Sequence, residues 1–377
     1  MGALDPSEIL GTYIIKSVPS YDMLDEASKN YDNVVVFIDF NNFIKGIYYP
    51  EITEMIISNI VNNDLKIPSI LIEEWIKFQT YIEKWALAKN KKLKCIYFSE
   101  HGKSFYHTNL NKNYKANRDS HRNITIPTGL MTYFDNDISK VNEILSGFLN
   151  STWEWISKIS SKCNVGTFRL SNLDADFIPE YLFRKVKNFY QDNSVYLIVS
   201  TDSDMIQLLD FGENVKILDY DKIITRDNWM VSKKYLEKYL SEIKEYRRPD
   251  RIILYKATVG DSADNISGIP RLGPKAFASH LINIPEDIDC DNILELENYF
   301  KSKSNENKIF KSIIDNIETF KTGLKLTSFK LLIDYLYATP TRNDLLMKAV
   351  DENISALSEG NVASMLDIVK EKNINII

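Results

Sequence analysis

Acidic side chains recur in this chain in short, closely spaced sets. Asp174 and Asp176 stand in "LDADF", Asp202 and Asp204 in "STDSDMIQLL", and Asp261 and Asp264 in "GDSADN". Carboxylates gathered in one place repel and raise one another's pKa. Divalent cations with oxygen ligands relieve that repulsion, and Mg²⁺ is the usual occupant where phosphates are near. Two such ions about 4 Å apart can activate water and stabilise the leaving oxygen of a phosphodiester. The last set has a second feature: "YKATVGDSADNISGIPRLGPKAF" runs from its acids into a loop bracketed by Gly268 and Gly273, then Pro274 and Lys275. Backbone N–H groups of such a hairpin, and the positive end of a helix starting near Pro274, can face a phosphate. Composition tempers each signal. Asp and Glu supply 52 of 377 residues, so acid-x-acid pairs arise by accident several times, and any one alone reads as a solvated turn or a helix N-cap. A glycine pair alone reads as a turn.

Position strengthens the acids. "NVVVFIDF" (33–40) is a β-branched and aromatic run of strand length that suits a strand buried on both faces, and Asp39 stands at its end. "LKCIYF" (93–98) and "VYLIVS" (195–200) repeat the pattern, delivering Glu100 and the Asp202/Asp204 pair, and "NVKILDY" (214–220) predicts a fourth strand. Helical stretches such as "LIEEWIKFQTYIEKWALAKN" and "IPEYLFRKVKNFYQ" lie between them. Strands alternating with helices predict an α/β domain with a mostly parallel sheet. Ligands of such sheets bind beyond the carboxyl ends of the strands, where these acids fall.

The rest of the chain is organised around that unit. Residues 1–30 show no strong period and read as an extension. Residues 31–230 form the α/β core, interrupted by a polar, then helical, insertion at 101–165 that is too long for an ordinary connection. Residues 231–377 read as helices. With 44% hydrophobic residues the chain can bury a large core, and it has no apolar run long enough to span a membrane. "MGALDPSEIL" has no basic-then-apolar character of a secretory signal. Three distant cysteines and four scattered histidines argue against a disulfide framework or a zinc site and for reduced intracellular thiols. The net charge of −6 argues against nucleic-acid binding when taken alone. Local potential rather than the sum decides that point, and bound cations would cancel part of the charge.

Taken together, these segments resemble the flap endonuclease and 5′-nuclease family, and its bacteriophage members most. "GDSADNISGIPRLGPKAF" is similar to the family's "GDxSDNIPGVxGIGxKTA", "STDSDMIQLL" to "DxDxxQL", "NYKANRD" (113–119) to "YKANR", and "LDADF" to "EADD". "VVVFIDFNNFIKG" fits the first-strand aspartate and "FSEHGKSF" the second-strand acid. The matches fall in family order over residues 33–281. The resemblance implies a PIN-like α/β fold, a helical arch over the active site, and a helix-hairpin-helix at about 252–282. It implies one metal held by Asp39, Glu100, Asp174 and Asp176, and a neighbouring ion near Asp176, Asp202, Asp204, Asp261 and Asp264. Both would be Mg²⁺, with Mn²⁺ able to substitute. Three departures stand out: Asp174 for Glu, Glu100 for Asp, and Phe177 for the second aspartate of "ADD".

The resemblance also gives roles to the basic segments. Lys115 and Arg118 would polarise the scissile phosphate, because fixed cations stabilise the charge that develops there. Read as a helix, "NYKANRDSHR" puts Tyr114, Arg118 and Arg122 on one face. Tyr114 would stack on a base of a threaded 5′ strand, with Arg122 beside it. Gly268, Gly273 and Lys275 would grip duplex backbone without reading sequence, with a monovalent cation such as K⁺ at the hairpin. His101, His107, His121 and Asp119 read as surface residues, and the tryptophans as packing. The implied activity is a two-metal 5′–3′ exonuclease or flap endonuclease, acting as a monomer in the cytoplasm on branched or 5′-flapped DNA and RNA–DNA primers in replication or repair. Two other readings stay open. One is a haloacid-dehalogenase-like phosphatase, although Asn41 stands where its second acid belongs. The other is a branched-DNA-binding protein of the same fold that has lost cleavage through Phe177.

Overall fold

The computed structural model describes residues 18–47, 69–116, 137–163, 165–219, 221–240, 243 and 248–353. Arg118, Asp119, His121 and Arg122 lie outside the described residues. In chain order the helices are α1 (Tyr21–Ser28), α2 (Phe40–Ile47), α3 (Ser69–Ala88), α4 (Phe105–Leu110), α5 (Ile138–Ser160), α6 (Ile178–Lys185) and α7 (Arg251–Val259). They continue as α8 (Pro274–Ala276), which runs into a π-helical turn (Phe277–Leu281), then α9 (Ile293–Lys303), α10 (Lys308–Asp315), α11 (Ile317–Thr327), α12 (Phe329–Tyr337) and α13 (Pro340–Glu352). The strands are β1 (Asn33–Asp39), β2 (Lys92–His101), β3 (Val165–Ser171), β4 (Ser194–Val199), β5 (Val215–Asp219) and β6 (Lys222–Ile224).

The sheet order is β3-β2-β1-β4-β5-β6, with β6 alone antiparallel to its neighbour. The order reverses direction at β1, so β1 and β4 flank a switch point, where a crevice opens past the strand ends. Both sheet faces are apolar. Val35, Phe37, Ile96, Phe98, Tyr196 and Ile198 face one core, whereas Val34, Val36, Ile38, Cys95, Tyr97, Val195 and Leu197 face the other. That strict alternation explains why the sequence shows continuous apolar runs: each residue meets a helical layer, whichever side it points to. The second layer includes α1, α2, α3 and α5. Residues 18–28, read from sequence as part of an extension, close it: Ser20 caps α1, Leu24 and Ala27 are buried, and Asp25 accepts a 2.8 Å hydrogen bond from the Trp85 indole. The first layer is formed by α6 and by α7 to α13, whose Ile253, Phe277, Phe300, Phe320, Leu324 and Ile333 are continuous with the sheet's apolar face.

Four strands follow the sequence reading. β3 was hidden at the end of the 101–165 insertion, because "VGTFRLS" mixes Gly and Arg into its run; it is an edge strand with alternate residues only partly covered. Among the described residues no helix is long and apolar enough to cross a membrane.

Candidate nuclease site

The acids meet because the strands end together. Asp39 closes β1 and is only 8% exposed. One of its oxygens accepts the Asn42 N–H at 3.0 Å and the other the Ser200 hydroxyl at 3.2 Å, so the ends of β1 and β4 are tied through it. Asp202 caps the 3-10 helix Ser203–Phe211 by accepting the Asp204 N–H at 2.9 Å. Asp174 and Asp176 follow β3, and Glu100 lies near the end of β2. Asp261 and Asp264 arrive from the turn after α7, which is closed by a two-way backbone pairing of Asp261 with Ile266.

All eight acids join one electrostatic network. Burial pushes the Asp176 carboxyl well above the usual carboxylate range, and the like charges of Asp202 and Asp39 push it further, against the pull of Lys115. Asp204 is raised to about 7, chiefly by burial and, after the offsetting pull of Lys256, by Asp202 and Asp264. Two lysines sit among these groups. The Lys115 ammonium is 2.9 Å from Asp174 and 3.5 Å from Glu100. The Lys256 ammonium, 5% exposed on α7, pairs with Asp204 and lies 3.0 Å from Asp261. Among the described residues, no three or more His, Cys, Asp or Glu side chains stand arranged as a ready-made metal cage. The donor set nevertheless fits hard divalent cations: it is all carboxylate oxygen, Asp176 and Asp204 are raised by burial and by their acidic neighbours, and ammonium groups already lie between two pairs of the acids.

The structure corrects several expectations. Residues 112–116 form a turn rather than a helix, and Lys115 takes a left-handed backbone (φ 56°) while its N–H binds the Asp264 carbonyl at 3.0 Å. The Asn265 side-chain amide donates to the Asn113 backbone carbonyl at 2.8 Å, so the segment carrying Lys115 is docked on the Asp261/Asp264 turn. Tyr114 is 8% exposed; its ring stacks on His107 and packs near Ile266 and Leu326, leaving no open face for a base. His107, expected at the surface, is buried, with Nδ1 2.8 Å from Asp174. Phe177 is fully buried in the core, edge-on to Tyr181. Asn41 accepts the Ser99 hydroxyl at 3.2 Å, which ties β1 to β2 at the place where a phosphatase of the kind considered needs an acid.

The two loop glycines differ. A Cβ on Gly268 would lie 2.3 Å from the Val259 carbonyl oxygen, so this glycine lets the loop pack on the end of α7. A Cβ on Gly273 would meet nothing within 4 Å. Gly273 therefore presents open space at the start of α8, beside the exposed side chains of Lys275 and of Arg271, which was not singled out from sequence. Lys256 and His107 were missed as well. Lys256 stands five residues before Asp261 on a helix, and nothing local shows which acids it meets.

A parallel sheet with an acid rim at its switch point, joined to a helical region that brings further acids to that rim, defines an α/β nuclease of PIN-like fold. No family model matches the chain. It is 28% identical over 247 residues to the 5′–3′ exonuclease of Buchnera aphidicola (strain Sg), covering 59% of this chain and 79% of that protein. It is 30% identical over 240 residues to the 5′–3′ exonuclease of Mycoplasmopsis pulmonis, covering 63% of each. Among solved structures, the D15 protein of bacteriophage T5 co-crystallised with metal ions shares the fold with a TM-score of 0.56 at 18% identity, over 86% of this chain and all of that one. The D15 flap endonuclease in complex with DNA and metal ions gives 0.57 at 18% identity. The chain is similar to proteins of the 5′-nuclease family.

Proposed function

We propose that this chain is a metal-dependent, structure-specific 5′ nuclease that hydrolyses phosphodiesters at branched or 5′-flapped DNA, with RNA–DNA primers as a further substrate, during replication or repair. The observation that carries the reading is the convergence of Asp39, Asp174, Asp176, Asp202 and Asp204 at the ends of β1, β3 and β4, with Asp176 held well above its usual pKa by burial and then by the charges of Asp202 and Asp39. Asp39, Glu100, Asp174 and Asp176 would hold one Mg²⁺, and Asp176, Asp202, Asp204, Asp261 and Asp264 would hold a second. When bound, the ions supply an activated water and stabilise the leaving oxygen. Lys115 presents a fixed cation beside Asp174 and Glu100, where a phosphate drawn to that edge would be met. Arg118 and Arg122 continue the same segment and are assigned to the 5′ strand. Gly273, Lys275 and the start of α8 would hold duplex backbone, with K⁺ as the cation of the hairpin; Gly268 serves by shaping that loop.

The proposed division keeps an α/β core at 31–230, to which residues 18–28 add a closing helix, with an arch at 101–165 whose α5 returns to the core, and a helical region from 231 carrying the hairpin. The protein would act as a monomer in the cytoplasm. The test is incubation with end-labelled 5′-flap, nicked and RNA-primed duplexes in Mg²⁺ or EDTA. Cleavage near the flap junction, lost in EDTA, is expected. Uncut flap in Mg²⁺, or product that persists in EDTA, overturns the proposal. The branched-DNA-binding alternative drew on Phe177 standing where the second aspartate of the family pattern would be, and tight flap binding in Mg²⁺ with no product over hours would favour it.

A further inference from the structure

His107 is the one histidine that reaches the acid rim among the described residues. It lies on α4, immediately after β2, and is 5% exposed. Its Nδ1 is 2.8 Å from Asp174 Oδ2 and 2.7 Å from Ser104 Oγ. An ionised carboxylate only accepts, so Nδ1 carries the proton toward Asp174, and Ser104 supports the same edge of the ring. The imidazole is held flat against Tyr114 (centroids 4.5 Å, 14° between planes) and edge-on to Tyr106 (5.1 Å, 84°). The Tyr114 hydroxyl points at the same Asp174 oxygen from 3.4 Å, and Lys115 takes the other oxygen at 2.9 Å. A carboxylate gripped on Oδ2 by two ring-borne donors and on Oδ1 by an ammonium has one orientation available.

That grip bears on the residue itself. Asp174 stands where the family pattern has Glu, and its side chain is one methylene shorter. A shorter acid reaches less far and depends more on being aimed. From this geometry we infer that His107 is a positioning residue, which fixes the Asp174 carboxylate through its Nδ1–H so that the shortened acid can serve as a metal ligand. The inference rests on the nuclease reading given above. Hydrogen-bond partners of metal-ligating groups set ligand orientation, and losing one typically costs about 10–100-fold in metal affinity or activity.

Three variants of the full chain separate this role from packing. His107→Phe keeps a ring on Tyr114 and loses the donor; His107→Asn keeps a donor near the Nδ1 position; His107→Gln moves the donor outward. The readouts are Mn²⁺ affinity, from the electron paramagnetic signal of free manganese, and the Mg²⁺ concentration giving half-maximal flap cleavage. The Phe variant should fold and show both raised by about 10–100-fold, with cleavage recovering at high Mg²⁺. The Asn variant should return to within a few-fold of wild type, and the Gln variant should not. If the Phe variant fails to fold, the Asn-against-Gln contrast decides. Wild-type values in His107→Phe, or equal values in Asn and Gln, overturn the assignment and leave the nuclease reading intact. A wild-type chain that neither binds Mn²⁺ nor cuts flaps overturns both.

Discussion

Two regions of this molecule are rich in buried acids, and they handle them in opposite ways. The rim at the strand ends sets eight carboxylates against Lys115 and Lys256. A cavity of about 430 Å³ between α6, the 3-10 helix, α7 and α12 is lined by Glu180, Asp210, Asp250, Asp289 and Asp291 together with Arg184, Arg248 and Lys330. In the cavity four of the five acids sit against a cation: Arg184 with Glu180 at 2.6 Å, Lys330 with Asp289 at 2.8 Å, and Arg248 shared between Asp210 at 2.7 Å and Asp250 at 3.0 Å. Of those pairs, Arg248–Asp210 joins the 3-10 helix beside the sheet to the helical region. In the rim eight acids share two lysines, and Asp176 and Asp204 are driven up in pKa by burial and then by like charges. Local pairing marks a joint, whereas a shared deficit of positive charge marks a place that ions can fill.

Breaking the rim should have the largest effect. Asp202→Asn should lower flap cleavage by at least about 100-fold, the scale of losing one preorganised electrostatic group at a reacting centre, while flap binding measured by anisotropy is retained. Undiminished turnover would refute the rim's role. Next comes Lys256→Met, which leaves Asp204 and Asp261 without their shared ammonium. Removing one partner of a buried pair costs on the order of 3–5 kcal/mol, so melting in EDTA should drop sharply and millimolar Mg²⁺ should restore more of it than in wild type. An equal Mg²⁺ increment in both proteins would break the contrast with the cavity.

The cavity should behave as a joint. Arg248→Met, which removes the shared partner of Asp210 and Asp250 and leaves them to Arg226 and Arg251, should destabilise by about 1–3 kcal/mol in denaturant titrations, the usual cost of lost hydrogen bonding at buried polar groups. The rate of flap cleavage below the transition should be unchanged; a large fall in that rate would erase the distinction drawn here. The smallest effect concerns Glu180, whose pKa is raised from 4.5 to about 7, mainly by burial against the opposing pull of Arg184. Its native form binds more protons than its unfolded form between those values, so it costs stability as pH rises through that window, fully above it and not below. Glu180→Gln should therefore melt a few degrees above wild type at pH 8 and coincide with it near pH 4.5. A difference independent of pH would show that the carboxyl does not titrate in this range.

Much of the site was legible because its acids lie at the ends of strands that announce themselves. "NVVVFIDF" and "VYLIVS" are buried on both faces, and a chain leaving such a strand must turn where Asp39 and Asp202 stand. The glycine loop was legible as a loop but not in its division of labour, since only the contact with Val259 shows why Gly268 lacks a side chain. Tyr114 was misplaced because its ring was read from the helix periodicity of its segment. A left-handed Lys115 and a stacked His107 are results of docking.

The amino-acid pattern by itself determined which residues form buried strands, that strands alternate with helices, and that carboxylates follow the strands in a fixed order. These are local properties, set by side-chain period and backbone preference over a few residues. Only the tertiary structure decided which cations meet those acids, that His107 stands behind Asp174, and that one acid-rich cavity is a paired joint while the other is a charge-deficient rim. The reason is physical: a pKa, a hydrogen bond or an ion pair depends on distance and burial, and those arise when segments far apart in sequence are packed together.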